Sequence, residues 1–114
     1  MDVPQADKLI KIRELNDTLR SQFKGGKVML SEGVATLPDM VKAAALQFMA
    51  QYHDFTPAND PDGEHDFGAF ELCNRRFFWK VDYYNNKNEE FGSKDPTDPE
   101  NTLRVLTLIL AEEY

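Results

Sequence analysis

Apolar residues in the first part of the chain recur at steps of three and four residues. The series consists of Leu9, Ile12, Leu15, Leu19 and Phe23. This spacing places one apolar stripe along a helix and leaves the charged side chains largely off it. Gly25 and Gly26 follow after Lys24, and glycine commonly ends a helix. The pattern therefore predicts an amphipathic helix between Ala6 and Phe23.

Two further elements are predicted after the glycines. Residues 27–33, KVMLSEG, form a short apolar run bounded by glycine at both ends, which is typical of a lone short strand. A second helix is predicted from Pro38 to Tyr52, because proline fits the first helical position and apolar residues then recur at helical spacing.

Residues 67–82, FGAFELCNRRFFWKVD, predict a β-hairpin. A turn at Asn74-Arg75 would pair Leu72 with Phe77. The core face would then carry Phe70, Leu72, Phe77, Trp79 and Val81. The opposite face would carry Phe67, Ala69, Glu71, Phe78, Lys80 and Asp82, and this mixture of apolar and charged residues predicts a partly covered surface.

The C-terminal segment, residues 98–114, predicts a third helix. Asp98 is a good N-cap and Pro99 fits the first turn. The following sequence LRVLTLIL is apolar over most of its length. A helix that is apolar nearly all round lies at the centre of a core, so we expect this helix to be central.

These elements predict an α+β fold in the order α-β-α-β-β-α. A small antiparallel sheet of about three strands, made of the lone strand and the hairpin, would pack against three helices. The 114 residues, of which 41% are hydrophobic, suit one domain spanning residues 1–114. We expect a short flexible N-terminus at residues 1–5.

The net charge of −7 is unevenly distributed. Residues 1–32 carry six basic and five acidic side chains, whereas residues 33–114 carry seven basic and fifteen acidic ones. Such a negative field repels phosphates and attracts basic protein surfaces, which argues against direct nucleic-acid binding. The carboxylates predicted to contact a partner lie in two long loops and on the hairpin: Asp60, Asp62, Glu64, Asp66, Glu71, Asp82, Glu89 and Glu90.

A metal site is the main chemical alternative. His53 and His65 are the only histidines, and with Asp66 they could bind a divalent metal ion. Glu64 or Glu71 could then serve as the base of a metal-dependent hydrolase. Irregular chain separates the two histidines, so no helical or strand spacing fixes their geometry. The absence of a complete catalytic motif favours an interaction protein without a cofactor over an enzyme.

The sequence predicts a cytoplasmic protein that does not contact membranes. No window reaches the roughly eighteen apolar residues that a membrane span needs, and the N-terminal sequence MDVPQADKL lacks the apolar core of a secretion signal. Cys73 is the only cysteine, so an internal disulfide is excluded, as is typical of a reducing compartment.

Several blocks of sequence resemble a known family. They are IRELNDTLR, GKVMLSEGVATL, DFTPANDPDGEHDFGAFE, FFWKVDYY and DPTDPENTLRVLTLILAEEY. The chain is similar over nearly its whole length to small bacterial proteins classed as a domain of unknown function, which are frequent on plasmids and other mobile elements. The resemblance supplies no activity or catalytic residue.

The resemblance to mobile-element proteins adds a context for the acidic charge. It implies an accessory or counter-defence protein, of the anti-CRISPR or anti-restriction type, that occupies the basic surface of a host defence nuclease or nucleoprotein. A third interpretation is a self-associating structural protein, a homodimer that buries the mixed face around Phe67, Phe78, Lys80 and Asp82.

Overall fold

A computed structural model describes residues 5–114 of the chain. The elements are α1 (Gln5–Gln22), β1 (Lys27–Leu30), α2 (Glu32–Ala35), α3 (Asp39–Ala50), β2 (Phe67–Leu72), β3 (Arg75–Asn85), β4 (Asn88–Gly92), β5 (Thr102–Leu110) and a 3₁₀ turn at Ala111–Glu113. The predicted flexible segment, residues 1–5, lies outside the described residues except for Gln5, where α1 begins. Within the described range, no helix is long and apolar enough to cross a membrane.

The five strands form one mixed sheet. β1, β5, β3 and β2 lie side by side in that order, and β4 pairs with the end of β3. β1 runs parallel to β5, whereas every other pair is antiparallel. The α+β class is therefore confirmed, but the sheet is larger than about three strands and is not purely antiparallel.

The predicted C-terminal helix is wrong, because residues 102–110 form the interior strand β5. Its side chains alternate between a buried set, which includes Leu106 and Leu108, and a half-buried set, which includes Val105 and Ile109. A strand that is apolar on both faces has the same unbroken apolar composition as a buried helix, so periodicity cannot separate them. The β-branched residues at alternate positions were the local sign of a strand.

The hairpin is confirmed, but its predicted register is wrong by two residues. Leu72 lies opposite Arg75, and Phe70 lies opposite Phe77. The turn consists of Cys73 and Asn74, which both have positive φ, at 53° and 61°, as the tightest two-residue hairpin turns require. A shift of two residues keeps every side chain on the same face, so the predicted core face is correct.

The three helices lie against one face of the sheet and enclose the core. Phe77 and Trp79 of β3 are fully buried there, together with Leu19 of α1 and Met49 of α3. The predictions of α1, β1 and α3 are confirmed to within a few residues, and Pro38 is the N-cap of α3. The opposite face of the sheet is half-exposed, and the two long loops lie at the end of the sheet where β5 begins.

Candidate interaction site

The loop between α3 and β2, residues 51–66, is fastened to α1. Arg13 donates a hydrogen bond from Nε to the carbonyl of Gly63 at 2.7 Å. One turn further along the helix, Asn16 donates from Nδ2 to the carbonyl of Glu64 at 3.0 Å. Because donors at helical spacing bind consecutive loop carbonyls, the polar face of α1 fixes the path of this loop.

The two histidines occupy different surroundings. His65 lies with Nδ1 at 2.9 Å from the Asp17 carboxylate, and its ring stacks on Phe55 at a centroid distance of 3.7 Å. His53 is exposed, and its Nδ1 lies 3.1 Å from the carbonyl of Gln51. Among residues 5–114, no group of three or more His, Cys, Asp or Glu side chains could hold a metal ion. The structure therefore does not assemble the predicted set of His53, His65 and Asp66.

Three of the carboxylates predicted to contact a partner, all in the first loop, are buried or half-buried. Asp60 is buried, and its Oδ1 accepts a hydrogen bond from the backbone N–H of His65 at 3.2 Å. Glu64 accepts a hydrogen bond from the hydroxyl of Tyr83 at 2.8 Å. Asp66 is half-buried, and this burial raises the pKa of its carboxyl group above the ordinary range. The carboxylates of Asp60 and Glu64 therefore help to order the loop.

The carboxylates predicted on the strands are mostly paired with neighbouring cations. Asp82 lies 2.7 Å from the Lys80 ammonium, and this hydrogen bond raises the pKa of the lysine. Glu71 lies 3.5 Å from Arg76 and Glu89 lies 3.5 Å from Lys27. Asp62 and Glu90 are exposed, and Asp62 borders a cleft between the loops.

A buried arginine that the sequence analysis missed links the second loop, residues 93–101, to the same framework. Arg104 is 1% exposed. It donates from Nε to Oδ1 of Asn16 at 3.0 Å and from Nη2 to the carbonyl of Pro96, and its guanidinium lies over the ring of Tyr83. Burial lowers the pKa of Arg104. Asn16 is fully buried and also donates to the Tyr83 hydroxyl at 2.7 Å, so one network holds both loops.

The two loops meet at one cleft. The cleft has a volume of about 590 Å³. Asp62 and Glu64 of the first loop line it, together with Lys94 and Asp95 of the second loop. Leu9 and Ile12 of α1 supply apolar wall. Opposite charges line the same cleft, so its interior is not uniformly acidic.

The second loop brings three carboxylates that the sequence analysis did not select: Asp95, Asp98 and Glu100. The hydroxyl and N–H of Thr97 lower the pKa of Asp95, and the side chain of Asn101 lowers the pKa of Asp98. Both groups therefore remain ionised at neutral pH. The spacing of Asp and Pro in KDPTDPEN, typical of Asx-type turns, was the available signal.

Comparison with known protein families gives a match. The model of a family described as a protein of unknown function, DUF3768, matches residues 30–113. Neither a search of the curated proteins nor one of the solved structures finds a match. The matched region covers nearly all of the sheet and both long loops, and of the described helices only α1 lies before it.

Proposed function

We propose that this chain, which belongs to the DUF3768 family of proteins of unknown function, is an interaction protein. It binds a basic, nucleic-acid-binding surface of a partner protein. The observation that carries this proposal is the meeting of two acidic loops at one end of the sheet. A concentrated negative field raises the association rate with a basic surface and disfavours acidic ones.

The charge of these loops accounts for the acidity of the whole chain. Residues 53–66 contain five carboxylates and no lysine or arginine, which gives a net charge of −5. The second loop, residues 93–101, contains three carboxylates and one lysine, which gives −2. The chain as a whole has −7, so the remaining residues are close to neutral. A general solubilising role would not require this concentration in two segments that lie together.

The loops are held in place before any partner binds. Arg13 and Asn16 fix the first loop, and Arg104 fixes the second through the carbonyl of Pro96. A surface whose shape is set in advance loses less conformational entropy on binding than a flexible one. This order supports a role for the acidic end in recognition.

The chemistry of the partner follows from the charge. Fixed carboxylates can occupy positions that phosphate oxygens would take on a protein that binds nucleic acid. Together with the resemblance to proteins of mobile elements, this supports an accessory or counter-defence role against a host nuclease or nucleoprotein. The protein itself would act without a metal ion or other cofactor.

A binding assay with a defined cationic probe tests the acidic end. Fluorescence anisotropy with a labelled octa-arginine peptide would compare the wild type with the variant Asp62→Asn, Asp95→Asn, Asp98→Asn, Glu100→Gln. At moderate salt, about 0.1 M, we expect the variant to bind at least about tenfold more weakly than the wild type, since four charges are lost from one surface. We also expect wild-type binding to weaken steeply as the salt concentration rises.

The matched control removes four carboxylates elsewhere: Glu14→Gln, Glu32→Gln, Asp39→Asn and Glu112→Gln. This variant has the same net charge as the loop variant, so net charge alone predicts equal losses. We expect the control to bind within about threefold of the wild type at moderate salt, where distant charges are screened. Equal weakening of both variants, or wild-type binding that ignores salt, would contradict a localised site.

A cellular assay tests the counter-defence role separately. Phage plating would be counted on bacteria that carry one defined restriction or CRISPR system and express either the wild type or the loop variant. We expect the wild type to raise the number of plaques, and the loop variant to lose this effect while the matched control keeps it. Peptide binding without any rise in plating would limit the proposal to a partner outside the defence systems tested.

A further inference from the structure

The face of the sheet that points away from the helices is apolar over much of its area. β5 contributes Leu103, Val105 and Ile109, and β1 contributes Met29, which is 50% exposed. β3 and β2 add Phe78 and Phe67, and the ring of Tyr114 lies against both. None of the described helices covers this face, which we call the open face. Contiguous apolar surface of this kind marks an interaction site.

The charged residues of the open face are paired with one another. Lys80 pairs with Asp82 at 2.7 Å, Arg76 with Glu71 at 3.5 Å, and Lys27 with Glu89 at 3.5 Å. The face is therefore neutral within a chain of net charge −7. A basic partner would gain no electrostatic attraction here, whereas a second copy of this chain could approach without repulsion between like charges on the contact surfaces.

The size of the open face also suits a second copy. The strands β1, β2, β3 and β5 contain 30 residues in all, and with a rise of about 3.3 Å per residue and strands about 4.8 Å apart they cover a flat footprint of roughly 475 Å². Side chains make the accessible area larger than this footprint. Two such faces together therefore bury about 950 Å² or more, which is close to the roughly 1,000 Å² of total area that a specific interface clears.

We propose that two copies of this chain form a symmetric homodimer by packing their open faces against each other. Sheets stack face to face at about 10 Å, with their inner side chains interdigitated. In such an isologous contact each copy presents the same patch. The loops with the acidic surface lie at the end of the sheet, so the dimer would leave them accessible and present them twice.

Sedimentation equilibrium over a wide range of protein concentration tests the dimer. We expect the apparent mass of the wild type to rise with protein concentration from the monomer mass of 13.1 kDa toward twice that value. Met29→Glu places an uncompensated charge on the open face, so we expect its dissociation constant to increase at least about tenfold. The matched control is Met40→Glu, which makes the same change on a residue of α3 that is 87% exposed, and we expect it to dimerise like the wild type.

Cross-linking provides a second measurement that does not depend on the stability of Met29→Glu. Thr107→Cys in a Cys73→Ser background puts one thiol near the centre of the open face, and Met40→Cys in the same background is the control. We expect a short bismaleimide to join two copies through position 107 and not through position 40.

Two outcomes would overturn the homodimer. The first is a wild type that stays monomeric at all concentrations, which would leave the open face to a different protein. The second is equal weakening by Met29→Glu and Met40→Glu, or equal cross-linking at positions 107 and 40. The loop variant that tests the acidic end changes no residue of the open face, so failure of one proposal is distinguishable from failure of the other.

Discussion

An alanine at position 68 would place a methyl group against the ring of Trp79. Gly68 lies opposite Trp79 in the ladder between β2 and β3. A Cβ atom at this position would lie 2.4 Å from Nε1 and 2.5 Å from Cε2 of the indole. Favourable contacts between carbon atoms are about 3.5–4.0 Å, so either the ring or the strand would have to move by about 1 Å.

The indole has no room to move. Trp79 is fully buried, with the ring of Tyr52 at 5.4 Å, the ring of Phe55 at 6.0 Å and the guanidinium of Arg20 at 5.2 Å. The edge strand β2 must therefore shift away from the core. Overpacking of this kind costs about 1–3 kcal/mol of the free energy of unfolding, and we expect Gly68→Ala to fall in that range.

Urea unfolding gives the measurement, followed by fluorescence of Trp79, the only tryptophan of the chain. Gly92→Ala is the matched control, because a Cβ atom at this strand glycine would meet only the Tyr83 carbonyl oxygen, at an ordinary 3.7 Å. We expect the control to stay within about 0.5 kcal/mol of the wild type or to gain slightly. A Gly68→Ala variant as stable as Gly92→Ala would refute the close approach of the indole to β2.

Three other changes test the loop framework and the metal alternative. Asn16→Ala removes the acceptor of the buried Arg104 Nε, so we expect a loss of about 3 kcal/mol in urea unfolding; a loss below about 1 kcal/mol would contradict the network. Hydrogen bonds lower the pKa of Glu113 from the ordinary 4.5, so the stability that they contribute is present above that value and is lost as pH falls through the lower folded pKa. Glu113→Gln should therefore be less stable than the wild type at neutral pH, and the difference in melting temperature should shrink as the solution is acidified; a difference that does not shrink at any acidic pH would contradict this. We expect His65→Ala to lose about 1–2 kcal/mol and His53→Ala almost nothing, because only His65 stacks and pairs with other side chains. A zinc-induced rise in melting temperature that both histidine substitutions abolish would restore the metal site.

Local pattern was sufficient for the amphipathic helices and for the inward face of the hairpin. Helical spacing identified α1 and α3, because each helix must turn one apolar stripe toward the core. The inward face of the hairpin was predicted correctly although the predicted register was wrong. Side chains alternate between the faces with a period of two, and the error in register was two residues.

The candidate site depended on contacts that have no local signature. Asp60 and Glu64 looked like surface carboxylates, but they bind His65 and Tyr83 within the chain. Asn16 and Arg104 are 88 positions apart and meet at 3.0 Å. The sequence around a polar residue in a helix or strand does not show which distant residue will be its buried hydrogen-bond partner.

The sequence by itself determined which residues are available for the core, the acidic charge and the apolar stripes of the helices. The tertiary structure decided that residues 102–110 are a strand, because only β1 and β3 on either side supply the backbone hydrogen bonds that make this apolar segment the interior of a sheet. The same decision created the open face and brought the two acidic loops to one end. Strand pairing is a contact between distant segments, and its free energy is not encoded within any one of them.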